Sequence, residues 1–315
     1  MAKNKRLFIF ASYDAQGIVD DTLLHYVSEL NKIGDVIFIM DSVATDEELN
    51  KIRALGNVVY ANAVRHNEYD FGSYKRGYQY AVENKLFDNY DWVYFANDSV
   101  YGPLWDLLPI LQDLESRGVD FTGMIDFENL LTPVQLQSWF LGFSKKLIKE
   151  QFLNDFMNRI CHQTEKQLIV LKYEVGLSRL IMKNGYKFAA FVTGQIGEVC
   201  HAVYEKPMEI LKAGIPFLKK NGLENIGGLQ YLYPYTTEKL VDSIHKNAIR
   251  TGISTIVRER KPQYITCFRI SVVGLPIVRI KSQKSVFCNT VNYKAFLFDL
   301  IPVCKISVTP RRRKL

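Results

Sequence analysis

Five short apolar runs, each closed by polar residues and followed by a helical pattern, limit what this chain can fold into. Residues 6–12 (RLFIFAS), 35–41 (DVIFIMD), 57–63, 92–96 and 120–125 have the length and composition of buried strands. Between them, residues 20–30 place Leu23, Leu24, Val27 and Leu30 on one helical face. Residues 45–56 open with a Thr45-x-x-Glu48 capping box and end near Gly56, and 72–84 and 104–117 also read as helices, the last broken or begun at Pro109. Such alternation predicts an α/β fold with a mainly parallel sheet and right-handed crossovers. Ligands of open α/β sheets sit beyond the carboxyl ends of the strands. Asp14, Asp41, Arg65 and Asp98 all follow strands, so they are expected to converge on one rim. Neither G-x-G-x-x-G nor a P-loop is present, which argues against dinucleotide oxidoreductases and NTPases.

Farther along, residues 137–142 (QSWFLG) suit a strand lining a pocket, and 145–160 read as helical. Residues 165–184 are helical in part and carry Glu174. A strand is expected at 187–193, a helix at 205–212 ending at Gly214, a glycine-containing loop through the 220s, and a last helix at 235–251 with half a cap at Thr236. From about residue 262 the pattern changes to alternating apolar and basic residues. Leu275-Pro276-Ile277-Val278-Arg279-Ile280 is echoed by Ile301-Pro302-Val303-Cys304-Lys305-Ile306, each copy reading as a strand with Pro near its start. The expected organisation is a main domain over 1–257 and a small basic β appendage over 258–315.

Charge follows the same division. Residues 258–315 carry 13 Lys/Arg against 2 Asp/Glu, and the remainder 27 against 31. A basic end on a mildly acidic body points to an anionic membrane surface, with a merely solubilising tail as the plain alternative. No nucleic-acid-binding motif accompanies the charge, so nucleic acid is not an expected partner. No run approaches the roughly 18 apolar residues of a membrane span, and the apolar part of the N-terminus is too short for a secretory signal. The expected location is cytoplasmic, peripheral at the inner face of the membrane. The five cysteines, at 161, 200, 267, 288 and 304, are odd in number and include no C-x-x-C pair, so buried free thiols are expected.

Two polar clusters flank the strand at 92–96. The first is Arg65-His66-Asn67 with Tyr69-Asp70-Phe71-Gly72-Ser73-Tyr74-Lys75, and the second is Asn97-Asp98-Ser99 with Tyr101-Gly102-Pro103. Either alone is also ordinary turn or helix-start chemistry. Together with Leu136–Leu141 (LQSWFL), Tyr173–Ser178 (YEVGLS) and Gly214–Lys219 (GIPFLK), in that order, they resemble the rhamnan synthesis F family of bacterial polysaccharide glycosyltransferases. The resemblance spans roughly residues 6–220.

It implies a GT-A-like fold with a Rossmann-like nucleotide-binding half. The activity implied is transfer of a sugar from a nucleotide-sugar donor (a dTDP-, UDP- or GDP-sugar) to a lipid-linked glycan in O-antigen, capsule or rhamnan assembly. The family name points to L-rhamnose from dTDP-L-rhamnose, with inversion. In GT-A transferases an Asp-x-Asp at the second cluster holds a metal. Here the tripeptide has one carboxylate, Asp98, on which Mg2+ or Mn2+ would need phosphate oxygens and water as further ligands. His201 is a candidate second ligand. Arg65, Lys75 and Arg76 are the cationic alternative to a metal. Glu174, expected to open a helix, is the candidate general base, and Asp126 is its alternative. The donor site would draw on Asp14, Arg65, Asn67, Tyr69, Asp70, Lys75, Asn97 and Ser99, with Gly72 allowing close backbone approach. Gln137, Ser138 and Trp139 would line the sugar or acceptor pocket. The alternative is a non-catalytic carbohydrate-binding or scaffold component. A pyrophosphatase would need more clustered carboxylates than this rim offers.

Overall fold

The apolar run at the start of the chain is buried along its whole length, as a central strand must be. In the computed structural model it is β1 (Arg6–Ser12). The structure describes residues 4–128, 134–194 and 202–253, and the backbones of four strands between 265 and 308. The elements that follow β1 are α1 (Asp21–Asn31), β2 (Asp35–Met40), α2 (Asp46–Arg53), β3 (Val58–Ala63), α3 (Tyr69–Glu83), β4 (Trp92–Asn97), β5 (Val100–Tyr101), α4 (Leu108–Ser116) and β6 (Phe121–Phe127). Then come β7 (Gln135–Leu136), β8 (Phe140–Ser144), α5 (Lys145–Ile148), α6 (Gln151–Asn158), α7 (Lys166–Ile169), α8 (Gly176–Lys183) and β9 (Phe188–Val192). Last are α9 (Ala202–Glu205), α10 (Pro207–Lys212), β10 (Leu218–Lys219), α11 (Glu238–Thr251) and strands β11 (Ile265–Val272), β12 (Leu275–Lys284), β13 (Val291–Leu297) and β14 (Ile301–Val308).

The main sheet runs β3-β2-β1-β4-β8-β6-β7, and β9 pairs with β6. β1 to β4 are mutually parallel, and β8 is antiparallel to both β4 and β6. This is the helix-flanked, mainly parallel α/β fold expected. Alternate residues of each strand feed opposite cores. Phe8, Phe10, Phe38 and Tyr94 meet Tyr26 and Val27 of α1 and Leu111 of α4. Leu7, Ile9, Ile37 and Phe95 meet Tyr74 and Tyr78 of α3 and Leu177 of α8. Gly77 lets α3 lie close to the sheet, because a Cβ there would fall 2.4 Å from Ile9. A third apolar cluster joins Tyr101, Leu218, Leu232, Leu240 and Ile244, fastening α11 beneath the β5–β10 pair.

Of the two helix caps expected from the sequence, Thr45 holds and Thr236 does not. Asp20 caps α1 through bonds from Thr22 and Leu23, and Thr45 caps α2 through Glu48. α11 begins on Thr237, not Thr236; its hydroxyl accepts from Leu240. The span 145–160 is two helices, because Ser144 and Glu150 each start a new turn. Arg6 is buried in β1 and makes a two-pronged pair with Glu115 of α4, at 2.6 Å on each arm. Tyr94 donates to the same carboxylate at 2.8 Å.

The basic end forms an antiparallel sheet, β11-β12-β13-β14, and both Pro-containing repeats begin strands as expected. Its register aligns Lys281, Lys294 and Lys305 across three adjacent strands. The 257/258 division and the closing Arg311–Lys314 run lie outside the described residues. Among the described residues no helix is long and apolar enough to cross a membrane. Cys161 is exposed rather than buried, with its Sγ 3.6 Å from the Tyr173 hydroxyl. The other four cysteine side chains lie outside the description.

Candidate active site

The carboxyl ends of the parallel strands open into a cleft of about 770 Å³. Each wall is a strand end held in shape by a carboxylate. After β1, Asp14 folds its own loop: Oδ1 accepts from the amides of Gln16 at 2.9 Å and Ile18 at 3.1 Å. Its Oδ2 takes the Arg250 guanidinium at 2.7 Å, and the same guanidinium reaches Asp20 at 2.9 Å. The end of α11 therefore secures the loop after β1. After β2, Asp41 accepts from the amides of His66 at 2.7 Å and Asn67 at 3.1 Å and pairs with Arg65 at 3.1 Å. Arg65 also lies 5.0 Å from the centre of the Tyr13 ring. Asn67 and Tyr69 have φ of 58 and 55, a left-handed conformation uncommon for a tyrosine.

After β4, the second cluster divides its labour. Asn97 is fully buried; its amide donates to Asp70 at 2.8 Å and its oxygen accepts from the Ser99 amide at 3.0 Å. Asp98 turns into the cleft and accepts from Ser12 Oγ at 2.9 Å and the Tyr13 amide at 3.1 Å. Desolvation raises its pKa, opposed by the charge of Lys220 and by those two donors. Lys219 donates to Ser99 Oγ at 2.7 Å and passes over the Trp139 and Tyr204 rings.

Of the expected donor residues, Asp14, Arg65, Asn67, Tyr69, Asp70 and Ser99 share this cleft with Asp98, the expected catalytic and metal-binding carboxylate. Others do not line it. Lys75 reaches away to the Ile160 carbonyl at 2.8 Å, and Arg76 pairs with Glu68. Neither adds charge to the cleft, contrary to the alternative read from the sequence. Gly72 makes room for its own turn: a Cβ there would meet Glu68 at 2.3 Å and the His66 ring at 2.7 Å. Trp139 is buried, donating to Gln137 Oε1 at 3.0 Å and packing on Phe140 and Phe217. It offers no face to a sugar. Asp126 accepts from the Gly194 amide, tying β6 to the residues after β9.

Glu174 does not open a helix. It sits in a wide π turn, Val170–Val175, between α7 and α8, and such turns are frequent at functional sites. Its carboxylate accepts from the Ser138 hydroxyl, from the Ser138 amide at 3.1 Å and from Gln135 at 3.3 Å. The charges of Glu174 and Asp70 reach Tyr204, whose hydroxyl is pushed up to about 12, chiefly by burial. Sequence reading missed Lys220 and Arg250. Lys220 directly follows the Gly214–Lys219 stretch, whereas nothing local marks Arg250.

The described residues do not build a metal site by themselves. No three His, Cys, Asp or Glu side chains among them gather as ligands. Of the carboxylates lining the cleft, Asp14 and Asp41 are engaged by arginines, and Asp70 accepts from the Asn97 amide beside Asp98. His201 lies outside the described residues.

His66 supports the cleft from below. Its side chain is buried, Nδ1 accepts from the Glu68 amide at 3.1 Å and Nε2 bonds Ser73 at 2.9 Å. Burial, helped by Arg76, lowers its pKa from 6.5 to about 4. The unfolded chain therefore binds more protons in that window, so stability is full above pH 6.5 and falls as pH drops toward 4. The expected loss is about 3 kcal/mol. Denaturant unfolding at several pH values checks this, and His66→Gln should flatten the slope.

A family model described as rhamnan synthesis protein F matches residues 36–264, which include β2 to α11 and all of the second cluster. The chain belongs to that family. No curated protein matches it. Among solved structures, core-mannan synthase A from Aspergillus fumigatus, in a Mn/GDP form, is similar with a TM-score of 0.29 and 11% identity. The likeness covers 50% of this chain and 63% of that one, and at this level it decides neither fold nor activity. Family membership rests on the sequence match, and for a rhamnan synthesis F member the cleft at the strand ends is the candidate active site.

Proposed function

We propose that this rhamnan synthesis F member is a GT-A-like glycosyltransferase that moves a sugar from a nucleoside-diphosphate donor to a growing cell-surface polysaccharide. The observation that carries the reading is the polar cleft of about 770 Å³ at the carboxyl ends of β1 to β4, walled by Asp14, Asp41, Arg65 and Asp98. Its volume suits a nucleotide-sized ligand, and its position is the usual one for such ligands in α/β sheets. The family name favours L-rhamnose from dTDP-L-rhamnose, transferred with inversion. In that reaction the acceptor hydroxyl attacks the anomeric carbon, the bond from that carbon to the diphosphate oxygen breaks, and the hydroxyl proton passes to a base. Glu174 is the proposed base, aligned by Ser138 and Gln135. Glu174→Gln should lower transfer by roughly a hundredfold or more while donor affinity stays unchanged; wild-type transfer by the variant would remove it from that role.

A screen of dTDP-, UDP- and GDP-sugars by thermal shift, followed by turnover with a glycan acceptor, tests the reaction itself. Stabilisation with release of nucleoside diphosphate is expected. Binding of glycan without donor turnover would favour the carbohydrate-binding or scaffold alternative.

The acceptor is proposed to be lipid-linked, with the basic sheet resting on an anionic membrane surface. The backbone register sets Lys281, Lys294 and Lys305 opposite one another on three adjacent strands. Near an anionic membrane surface each basic residue contributes about 1 kcal/mol of attraction. Removing residues 262–315 should therefore abolish salt-sensitive partitioning onto phosphatidylglycerol vesicles.

A further inference from the structure

The cations lining the cleft are not equivalent. Arg65 is committed to Asp41 and Arg250 to Asp14 and Asp20. Asp14 and Asp41 are both buried, so drawing either arginine away would leave a buried carboxylate unpaired, which is costly. Lys220 differs. Its ammonium stands 5.5 Å from the Tyr101 ring centre and acts on Asp98 only through space. Among the described residues it has no hydrogen-bond acceptor and no carboxylate within ion-pair reach, yet it faces the cleft.

The backbone that carries it is nonetheless fixed. The Lys220 amide donates to the Ser99 carbonyl at 3.0 Å, directly after β10 pairs with β5 through Leu218 with Tyr101 and Lys219 with Val100. A lysine whose backbone is anchored at the end of β4, and whose ammonium has no hydrogen-bond or ion-pair partner among the described residues, is pre-organised for an anion from outside the protein.

We infer that Lys220 binds the donor's diphosphate and carries the charge that this group develops on leaving. The inference rests on the glycosyltransferase reading and names the residue that takes the part a metal would otherwise take. As the anomeric carbon–oxygen bond breaks, the electron pair stays on the diphosphate oxygen, and the Lys220 ammonium, already charged, stabilises it without gaining or losing a proton. Asp98 then has a complementary role: its charge keeps the lysine over the cleft, and it can accept from a donor hydroxyl.

The test uses the full chain and pairs each nucleoside diphosphate with its nucleoside: UDP with uridine, GDP with guanosine and dTDP with thymidine. Affinities are measured by calorimetry in EDTA and again with Mn²⁺, for wild type, Lys220→Gln and Lys220→Arg, with thermal midpoints confirming folding. In EDTA the wild type should prefer one diphosphate over its nucleoside tenfold or more. Lys220→Gln should bring that preference close to parity without changing nucleoside affinity, and Lys220→Arg should restore most of it. Retention of the preference by Lys220→Gln overturns the inference, as does equal loss for nucleoside and diphosphate. So does a wild-type preference that exists only with Mn²⁺. If the wild type binds none of the three diphosphates in either condition, the glycosyltransferase reading itself fails and the inference falls with it.

Discussion

Asp98→Ala is expected to lower sugar transfer roughly a hundredfold or more while moving the thermal midpoint by only a few degrees. The two effects separate because Asp98 does little for the fold and much for the cleft. Its carboxylate is partly desolvated, which raises its pKa, so its removal relieves a cost as well as losing bonds. Of the donors left behind, the Tyr13 amide belongs to an exposed residue of the cleft, while Ser12 is buried but borders the cleft, from which water can replace the lost acceptor. The net stability change is then about 1 kcal/mol. For the donor, the loss removes both the acceptor at the end of β4 and the charge that steadies Lys220. Asp98→Asn is the sharper variant, because it preserves shape and deletes only the charge. Release of nucleoside diphosphate in the presence of acceptor is the readout. Wild-type turnover in both variants would take Asp98 out of the reaction.

The largest stability effect is expected away from the cleft, at Arg6. Arg6→Ala should destabilise the fold by about 3–5 kcal/mol, seen as a shift of the denaturation midpoint at unchanged slope. Arg6 and Glu115 have side-chain exposures of 1% and 3%, so truncating the arginine strands a carboxylate that water cannot reach. Tyr94 and Asn4, at 2.8 and 3.0 Å, would remain as its only donors among the described residues. The pair itself is not expected to be worth that amount. Replacing both partners with apolar residues of similar size, Arg6→Met with Glu115→Leu, should recover most of the loss. A single variant costing under 1 kcal/mol would mean that the site hydrates or rearranges.

What could be read from the sequence follows how local each feature is. Strand 6–12 is legible to the residue, because a central parallel strand is apolar through its interior, here Leu7 to Ala11. The Thr45 half of the capping box is legible because its bond spans three residues, whereas the Glu48 carboxylate takes the Val19 amide and Lys51 instead of closing the box. Thr236 and Thr237 both satisfy the local rule for a cap, and only the direction in which the chain enters α11 selects the second. The rim residues Asp14, Asp41, Arg65 and Asp98 emerge from strand ends alone. Trp139 misleads for a physical reason: an aromatic beside polar residues reads equally well as a sugar platform or as core, and packing by Phe140 and Phe217 decides for core. Lys75 and Arg76 mislead because helical periodicity does not reveal which neighbour takes a long cation. Arg250 is invisible in one dimension, being 230 residues from the Asp20 it grips.

That distance bears on how the protein is made. A chain emerging from the ribosome presents β1, α1 and the loop carrying Asp14 first, and Arg250 only after some 230 further residues have been added. Until then Asp14 and Asp20 lack their guanidinium, and Tyr101 lacks the Asn247 side chain that accepts its hydroxyl at 2.7 Å. The clasp on the cleft is thus complete only once α11 has been made, although the first residues of the cleft are among the earliest translated. A transcript cut short before α11 would yield a product with every strand of the main sheet but without this clasp.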